Sequence, residues 1–352
     1  MIRARVIGAC GFGGANIIEL LAGHPEAEIV SLVDVKGVGG AVGEQHTHLK
    51  GFCDVPIESP DTAPWDGSFD VAFCATPDGV GMKLASACRE CGAKFIDYSG
   101  DFRFNVKEEY ERYAIRIGRD PVHASADLLP YSAYGLAELH RKMIAVRPIV
   151  GNPGCFAVSA ILGFAPAVKE GLVDLSSLIC DAKTGVSGAG IKPTATFHYP
   201  LRYENMNAYK IAAHQHNVEI ERELSLLAGS EARVTLTTQV VPLCRGIMST
   251  VYGALRTRGT TAEQVYEAYA EFYRDARFVR VEPMGTVVSN NDVRGSNHAV
   301  LSVNIDPYTD RLVVVSHIDN LMKGQAGSAL QNMNIMFGLD ESTGLRRPPY
   351  YP

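Results

Sequence analysis

The residue with the clearest chemical potential is Cys155, which closes the segment Gly151-Asn-Pro-Gly-Cys155. Pro153 and Gly154 favour a tight turn, and the apolar stretch 156–169 predicts a helix directly after it. Cys155 is therefore expected near a helix N-terminus, where the helix dipole stabilises the thiolate form. Such a thiolate can attack an acyl carbon while neighbouring backbone N–H groups hold the oxyanion. The alternative is a buried structural cysteine, but its position between a turn and a helix favours the nucleophile.

Two histidines, His214 and His216, are candidates for the acid–base partner of this cysteine. They lie in residues 211–227, whose pattern predicts an amphipathic helix, and Glu219 follows them. An imidazole can transfer a proton near neutral pH, and a carboxylate can fix its tautomer. Because residues two apart do not share a helix face, we expect one histidine to face Cys155, unless the helix begins between them. The alternative for either histidine is a partly exposed position on the helix.

A glycine-rich turn, Gly8-Ala-Cys-Gly-Phe-Gly-Gly14, lies between a predicted strand and a predicted helix. Glycines at this spacing allow a tight turn and let backbone N–H groups approach a pyrophosphate at the helix N-terminus. Asp34 follows about 20 residues later, as in dinucleotide-binding folds. Asp34 would accept hydrogen bonds from an adenosine ribose, which favours NAD, whereas Lys36 could meet a 2′-phosphate, which favours NADP. At this point both cofactors stay open.

Two arginines and one loop are candidates for substrate binding. Residues 183–190 read Lys-Thr-Gly-Val-Ser-Gly-Ala-Gly, and such small side chains let the backbone approach an anionic ligand. Arg103 and Arg245 lie beside predicted strand ends, where a guanidinium can pair with a carboxylate or a phosphate. The alternatives are a flexible connection for the loop and a surface salt bridge for each arginine.

The remaining cysteines and histidines are expected to be structural. Cys88 and Cys91 form a C-x-x-C motif, but it lies inside a predicted helix without a second cysteine pair, which argues against zinc. His46-Thr-His48 has no nearby cysteine or carboxylate cluster and is predicted to be a surface loop. Cys244 is expected within a strand. We predict no metal site.

The elements that must position these groups alternate between strand and helix in the first half. Strands are predicted at residues 2–7, 29–33, 70–75, 94–97 and 148–150, with a helix at 80–91 and another after the glycine-rich turn. Strands separated by helices form βαβ units and a parallel sheet. Later strands, at 233–241, 247–255, 299–305 and 311–317, have fewer helices between them, and a turn at 306–310 joins the last two. The prediction is an α/β nucleotide-binding domain over residues 1–150 and an α+β domain with a mixed or antiparallel sheet over residues 151–320.

Composition excludes several classes of protein. The 352 residues are 46% hydrophobic and 20% charged, which is typical of a globular chain and not of a disordered one. A net charge of −6 argues against a nucleic-acid partner, and no apolar run approaches the length of a membrane helix. The N-terminus begins a strand without a signal-peptide pattern, and eight cysteines are too few for a disulfide scaffold. A reducing cytoplasm is therefore the expected location.

Several motifs taken together resemble those of the N-acetyl-γ-glutamyl-phosphate reductases, which are relatives of aspartate-semialdehyde dehydrogenase. The matching segments span nearly the whole chain: Gly8–Gly14, Ser99–Arg103, Tyr134–Glu138, Gly151–Cys155, Lys183–Gly190, His214–His216, Arg245–Ile247 and Asp319–Gly327. The resemblance implies that the first domain is an α/β Rossmann domain and that the second is the catalytic α+β domain. It also implies that a C-terminal helix near residues 321–337, within a returning segment 321–352, completes the Rossmann domain. It also implies NADP as cofactor and a homo-oligomer, either a tetramer or a dimer.

The resemblance further implies a reaction and a set of site residues. The reaction is the NADP-dependent reduction of N-acetyl-γ-glutamyl phosphate to N-acetylglutamate 5-semialdehyde and phosphate, through a cysteine thioester, in arginine biosynthesis. The expected catalytic residues are Cys155, His214, His216 and Glu219, and the expected substrate-binding residues are Arg103, Asn152, Ser187, Gly188 and Arg245. The expected cofactor-binding residues are Gly8, Gly11, Phe12, Gly13, Gly14, Asp34, Lys36, Thr76, Pro77 and Asn320.

The chain departs from the family pattern at three places. Gln215 stands where an arginine is usual between the histidines, Val158 where a threonine is usual, and Val33–Lys36 where the turn is usually rich in serine and arginine. Reductases that act on aminoadipyl or carrier-linked acyl phosphates, and aspartate-semialdehyde dehydrogenase, therefore stay as alternatives. Two further alternatives are a thiol hydrolase or acyltransferase that works without nucleotide, and a non-catalytic nucleotide sensor.

Overall fold

Two seven-stranded sheets organise the chain, each in its own compact unit. The computed structural model describes residues 1–351. The first unit comprises Met1–Pro153 and Gln325–Arg346, and the second comprises Gly154–Gly324 and the described residues from Arg347 onward. The sequence-based division differs by a few residues at its first boundary and gives the whole of 321–352 to the first domain. Pro352 lies outside the described residues.

The first unit is built on a parallel sheet. Its strands are β1 (Ile2–Ile7), β2 (Ala27–Val33), β3 (Ile57–Glu58), β4 (Val71–Cys74), β5 (Lys94–Asp97), β6 (Ser132–Tyr134) and β7 (Ile149–Gly151). Its helices in the first stretch are α1 (Phe12–Ala22), α2 (Val42–Gln45), α3 (Gly81–Glu90), α4 (Lys107–Arg116) and α5 (Ala137–Val146). The strand order is β3-β2-β1-β4-β5-β7-β6, and every neighbouring pair is parallel. The predicted Rossmann architecture is confirmed.

The second unit contains the predicted mixed sheet. Its strands are β8 (Leu178–Thr184), β9 (Asn207–Tyr209), β10 (Val234–Val240), β11 (Ile247–Ala254), β12 (Val279–Val281), β13 (Ala299–Asp306) and β14 (Arg311–Ile318). Its helices are α6 (Cys155–Lys169), α7 (Tyr199–Arg202), α8 (His216–Ala228) and α9 (Ala262–Phe272). The order is β12-β13-β14-β11-β8-β10-β9, in which β12–β13 and β8–β10 are parallel and the other pairs antiparallel.

The C-terminal helix α10 (Gly327–Met336) belongs to the first unit, where it packs against α1 and α5. All ten of its residues are buried. It begins later than the predicted residue 321, because one π-helical turn, Met322–Ala326, precedes it. The residues after Arg346 are in the second unit, where the Tyr350 N–H donates to the Arg294 carbonyl.

Two predictions about local structure in the second unit are wrong. Helix α8 begins at His216 and not at residue 211, and Ile211 is 64% exposed. Cys244 lies in a loop after β10 and is exposed, because Leu243 N–H bonds back to the Val241 carbonyl and closes a turn there. Among residues 1–351, the structure has no helix with the length and apolarity needed to cross a membrane.

Helix α6 is the core helix of the second unit, and two tyrosine hydroxyls donate hydrogen bonds to its backbone carbonyls. Pro166 lies inside the helix and has no N–H, so the carbonyl of Leu162, four residues earlier, loses its usual intrahelical donor. The Tyr273 hydroxyl donates to this carbonyl at 2.7 Å, and the Tyr269 hydroxyl donates to that of Gly163 at 2.6 Å. The helix that carries Cys155 therefore depends on contacts from the region of α9.

We expect Tyr273→Phe to destabilise the protein by about 1–2 kcal/mol, because the buried Leu162 carbonyl would lose its donor. Urea unfolding measured by circular dichroism would give the change in the free energy of unfolding. Tyr308→Phe is the matched control, because Tyr308 is 97% exposed. Equal stability of the two variants would contradict this account of α6.

Candidate active site

Cys155 is the first residue of α6 and is half-buried. The preceding Gly154 is the N-cap residue, with an extended backbone. A Cβ at this glycine would overlap the ring of His216, so no other residue fits here without displacing that histidine. The turn before the helix thus brings the cysteine and an imidazole together because its last residue has no side chain.

Glu219 anchors the same turn. Its side chain is fully buried, and its Oε2 accepts a hydrogen bond from the Gly154 N–H at 3.0 Å. A carboxylate is favourable at a helix N-terminus, where the backbone N–H groups carry partial positive charge. The sequence predicted Glu219 near the site, but this contact to the backbone of the cysteine turn depends on the packing of α8 against α6.

Both histidines lie beside the cysteine turn, because α8 begins between them. Their ring centroids are 4.6 Å apart, and both rings contact Phe156, with centroid distances of 5.3 Å for His214 and 6.1 Å for His216. The two have different surroundings. Nδ1 of His214 accepts the N–H of His216 at 3.2 Å, so this ring caps the start of α8, whereas the His216 ring lies directly against Gly154.

Two residues at the site were not singled out from the sequence. The Tyr209 ring lies 5.8 Å from that of His214; burial raises the pKa of its hydroxyl, and the nearby Cys155 thiol adds to the effect. Gly324 packs against Cys155, since a Cβ on this glycine would lie 2.7 Å from the cysteine Cβ. The motif containing Gly324 was visible in the sequence, but only the fold reveals what it touches.

The loop after β8 and the end of β14 are joined by Asn320. Its Nδ2 donates to the Ser187 Oγ at 2.9 Å, and its Oδ1 accepts the Gly246 N–H at 2.7 Å. A Cβ on Gly188 would lie 3.7 Å from Asn320 Nδ2, so the predicted anion loop and Asn320 are adjacent. Asn320 was predicted to bind cofactor; within the second unit it links two loops of the candidate site.

Arg245 forms a two-point ion pair with Asp319. Its Nε lies 2.9 Å from one carboxylate oxygen and its Nη2 lies 3.1 Å from the other. Asp319 is fully buried, and its carboxylate also accepts the N–H groups of Gly295 and Leu321. The arginine is therefore held in a fixed direction and is not a mobile surface cation.

Arg103 and Asn152 are buried in the first unit, where they connect strand ends. The Arg103 guanidinium donates to the carbonyls of Tyr98 at 2.6 Å and Asn152 at 2.8 Å. The Asn152 side chain donates to the Gln325 carbonyl and accepts from Asn332. The predicted alternative of a surface salt bridge is wrong for Arg103, because these carbonyls occupy its guanidinium inside the fold.

The glycine-rich turn between β1 and α1 has the geometry of a phosphate cradle. Gly8 has a φ of +84°, and a Cβ there would overlap the Ala75 carbonyl. The Gly11 N-cap supplies no side-chain hydrogen bond, so the first N–H groups of α1, from Phe12 onward, are not capped by it. Backbone N–H groups at a helix start that its N-cap side chain does not occupy fit a dinucleotide pyrophosphate.

Asp34 lies next to this turn, at the end of β2. One carboxylate oxygen accepts the Cys10 N–H at 2.9 Å, and the other accepts the Lys36 N–H at 3.0 Å. Gly13 faces the Gln325 side chain, and Gly14 packs on the Gly8 carbonyl. Thr76 and Pro77 follow β4, the strand that neighbours β1, so the predicted cofactor residues of the first unit share one edge of the sheet.

One of the two remaining cysteine and histidine motifs differs in burial from its prediction. His46 is buried, and its Nε2 pairs with the Cys10 carbonyl at 3.0 Å, so the predicted surface loop is wrong for this residue. Cys91 lies just after α3 and donates to the Cys88 carbonyl. Among residues 1–351, no cluster of three or more histidine, cysteine or acidic side chains could hold a metal ion.

Comparisons with known proteins cover the whole chain. The family model described as "Semialdehyde dehydrogenase, NAD binding domain" matches residues 3–146, and "Semialdehyde dehydrogenase, dimerisation domain" matches residues 155–320. Solved structures of similar fold include aspartate semialdehyde dehydrogenase II from Vibrio cholerae, complexed with ASA, with a TM-score of 0.72 and 16% identity over 96% of this chain and 98% of that one. The NADP complex of aspartate semialdehyde dehydrogenase from Candida albicans has a TM-score of 0.66 and 16% identity, with the same coverage.

Relatives of higher identity define the family more closely. A protein from Desulforudis audaxviator named N-acetyl-gamma-glutamyl-phosphate reductase is 41% identical over 100% of both chains. A protein of the same name from Bacillus subtilis is 39% identical, also over 100% of both. Full-length identity of this kind, together with both domain matches, means that the chain belongs to the N-acetyl-gamma-glutamyl-phosphate reductase family of the semialdehyde dehydrogenases.

Proposed function

We propose that this enzyme reduces N-acetyl-γ-glutamyl phosphate to N-acetylglutamate 5-semialdehyde and phosphate, with NADPH as reductant, in arginine biosynthesis. The observation that carries the proposal is the arrangement at the start of α6, where Cys155 follows a glycine turn in contact with His216 and Glu219. A nucleophilic cysteine beside an imidazole is the requirement for a thioester pathway.

Cys155 makes the covalent bond to substrate. Its thiolate attacks the acyl-phosphate carbon, the carbon–oxygen bond to phosphate breaks, and a thioester remains on the sulfur. Backbone N–H groups at the start of α6 would stabilise the oxyanion that forms in this step. Gly324 packs against the cysteine Cβ and limits its position. A thiol suits this role because a thioester accepts hydride more readily than a carboxylate does.

His216 is the proposed acid–base residue. Its ring lies against Gly154, next to the nucleophile, whereas His214 uses Nδ1 to cap α8. His216 gives a proton to the oxygen of the reduced intermediate as negative charge collects there. It then takes this proton back as the carbon–sulfur bond breaks, which releases the aldehyde and restores the thiolate.

The proposed cofactor is NADP(H), held by the glycine-rich turn. A bound reduced nicotinamide supplies the hydride for the thioester. The first N–H groups of α1 would hold the pyrophosphate, and Lys36, which is exposed beyond β2, would meet the 2′-phosphate. The Asp34 carboxylate accepts hydrogen bonds from the N–H groups of Cys10 and Lys36. It therefore stabilises this turn and is compatible with either dinucleotide.

We also propose a homodimer or homotetramer assembled through the second sheet. Alternate residues of β11 and β14 are buried, and α6 packs against both strands. The intervening residues, which include Met248, Tyr252, Val313 and Val315, are partly exposed and make one continuous mixed face. A second copy of this chain would cover such a face in a two-fold arrangement.

Replacing Cys155 by serine is expected to lower kcat by about a thousandfold or more, because the thioester cannot form. The assay is phosphate-dependent oxidation of N-acetylglutamate 5-semialdehyde, followed at the nicotinamide absorbance band. In parallel, wild-type enzyme given semialdehyde and NADP⁺ without phosphate should carry an acyl group on the Cys155 peptide in mass spectra. Cys91→Ser is the control, since Cys91 lies in the first unit. Substantial turnover by the serine variant would contradict the covalent route.

His216→Asn is expected to lower kcat by about 100-fold to 10,000-fold, which is the usual contribution of acid–base catalysis. His214→Asn should have a smaller effect on kcat and a larger one on thermal stability, because an N-terminal helix cap is worth about 1 kcal/mol. The same oxidation assay, with a melting curve for each variant, measures both effects. The reverse ranking of the two kcat values would assign the proton transfer to His214.

Lys36→Ala is expected to lower kcat/KM for NADP⁺ by about tenfold and to leave kcat/KM for NAD⁺ nearly unchanged, because only NADP⁺ carries the 2′-phosphate. Lys50→Ala provides the control, since Lys50 is an exposed lysine of the same unit. A wild-type preference for NAD⁺ would contradict the proposed cofactor.

A further inference from the structure

We propose that a cavity in the second unit binds the carboxylate-bearing end of the substrate. The C-terminal tail, residues 347–351, completes this cavity through Tyr350. The cavity has a volume of about 260 Å³ and is lined by Leu243, Cys244, Arg245, Asn290, Arg294 and Tyr350. This inference rests on the proposed function, because the N-acetylglutamyl group carries one carboxylate away from the reacting carbon.

The lining suits an anion that is attached to an apolar group. Arg245 and Arg294 are two guanidinium groups, whose planar geometry matches a carboxylate. Leu243 and the ring of Tyr350 add apolar surface beside them, as an acyl chain or acetyl methyl group requires. Free phosphate has no apolar group that could contact this surface, so the lining favours the N-acetylglutamyl group over free phosphate.

The cavity wall is fixed before any ligand arrives. The two-point ion pair with the buried Asp319 sets the direction of Arg245. The same carboxylate accepts the Gly295 N–H at 2.7 Å, so it also holds the loop that carries Arg294. Asn290, which also lines the cavity, donates from its Nδ2 to the Arg245 carbonyl at 3.0 Å. A guanidinium that is held in this way, as that of Arg245 is, loses little conformational freedom when it binds a ligand.

The tail is fastened to this wall by its own contacts. The Tyr350 N–H donates to the Arg294 carbonyl at 2.7 Å. Its ring packs on Gly295, where φ is +79° and a Cβ would overlap the ring. The Arg347 guanidinium lies 5.5 Å from the ring centroid on a cation–π contact. Tyr351 is 86% exposed and serves as the natural comparison.

The cavity and the nucleophile share one turn of chain. Asp319, which orients Arg245, accepts the Gly324 N–H at its backbone carbonyl, at 2.9 Å. Gly324 in turn packs on Cys155. The Cys244 carbonyl accepts the N–H of Ser187 at 3.0 Å, which places the small-residue loop on the same wall. The residue that orients Arg245 is thus connected to the residue that packs on Cys155, and the proposal requires the substrate to extend from the arginines along these loops to the cysteine.

The oxidation assay separates the two anions of the reaction, because the carboxylate enters on the semialdehyde and phosphate enters alone. Arg294→Met should raise KM for N-acetylglutamate 5-semialdehyde by about tenfold, and Tyr350→Ala should raise it by about threefold or more. For both variants, kcat and the KM for phosphate should stay within about twofold of wild type. Tyr351→Ala should match wild type, and Tyr350→Phe, which keeps the ring, should lose less than Tyr350→Ala.

Two results would overturn the inference: an unchanged KM for the semialdehyde in both Arg294→Met and Tyr350→Ala, or an increase confined to the KM for phosphate. A wild-type enzyme without activity on this semialdehyde would instead contradict the proposed function. In that case, calorimetric titration with N-acetylglutamate decides the cavity alone. Binding that Arg294→Met weakens about tenfold would support it, and binding that is absent or equal in both proteins would overturn it.

Discussion

The close approach of α8 to the first residues of α6 is the constraint on which the rest of the site depends. Gly154 has no side chain, so the His216 ring can lie against its backbone, and Glu219 can accept its N–H at 3.0 Å. These two contacts hold the backbone turn immediately before Cys155. The price of bringing a buried carboxylate to this place is offset by the N–H groups of the helix start.

Other contacts in the second unit stabilise helix α6 and the loops around Arg245. In helix α6, Tyr273 donates to the Leu162 carbonyl that Pro166 leaves without its intrahelical donor, and Tyr269 donates to the neighbouring Gly163 carbonyl. Asp319 stabilises the loops near Arg245. Its buried carboxylate orients Arg245 and accepts the backbone N–H groups of Gly295 and Leu321. Glu219 and Arg245 are thus each held by a buried polar contact, whereas exposed ion pairs would contribute little.

The first unit is assembled by different physics. Its parallel strands and the turn at Gly8 follow from hydrophobic burial and from one backbone conformation that requires glycine. Arg103 and Asn152 are expected substrate-binding residues, and their side chains also form hydrogen bonds with carbonyls and amides inside this unit. A buried arginine and an exposed one have the same letter in a sequence, and only packing distinguishes them.

The sequence by itself determined the two fold classes, the glycine-rich turn and the position of Cys155 near a helix N-terminus, because each follows from local spacing and hydrophobic period. It also named the histidine pair, but it could not choose between them. The start of α8 at His216, the exposure of Cys244, the contacts of Tyr209 and Gly324, and the return of Tyr350 to Arg294 were decided only by tertiary structure. These features join residues far apart in the chain, and no local pattern records which distant backbone will lie beside a given side chain.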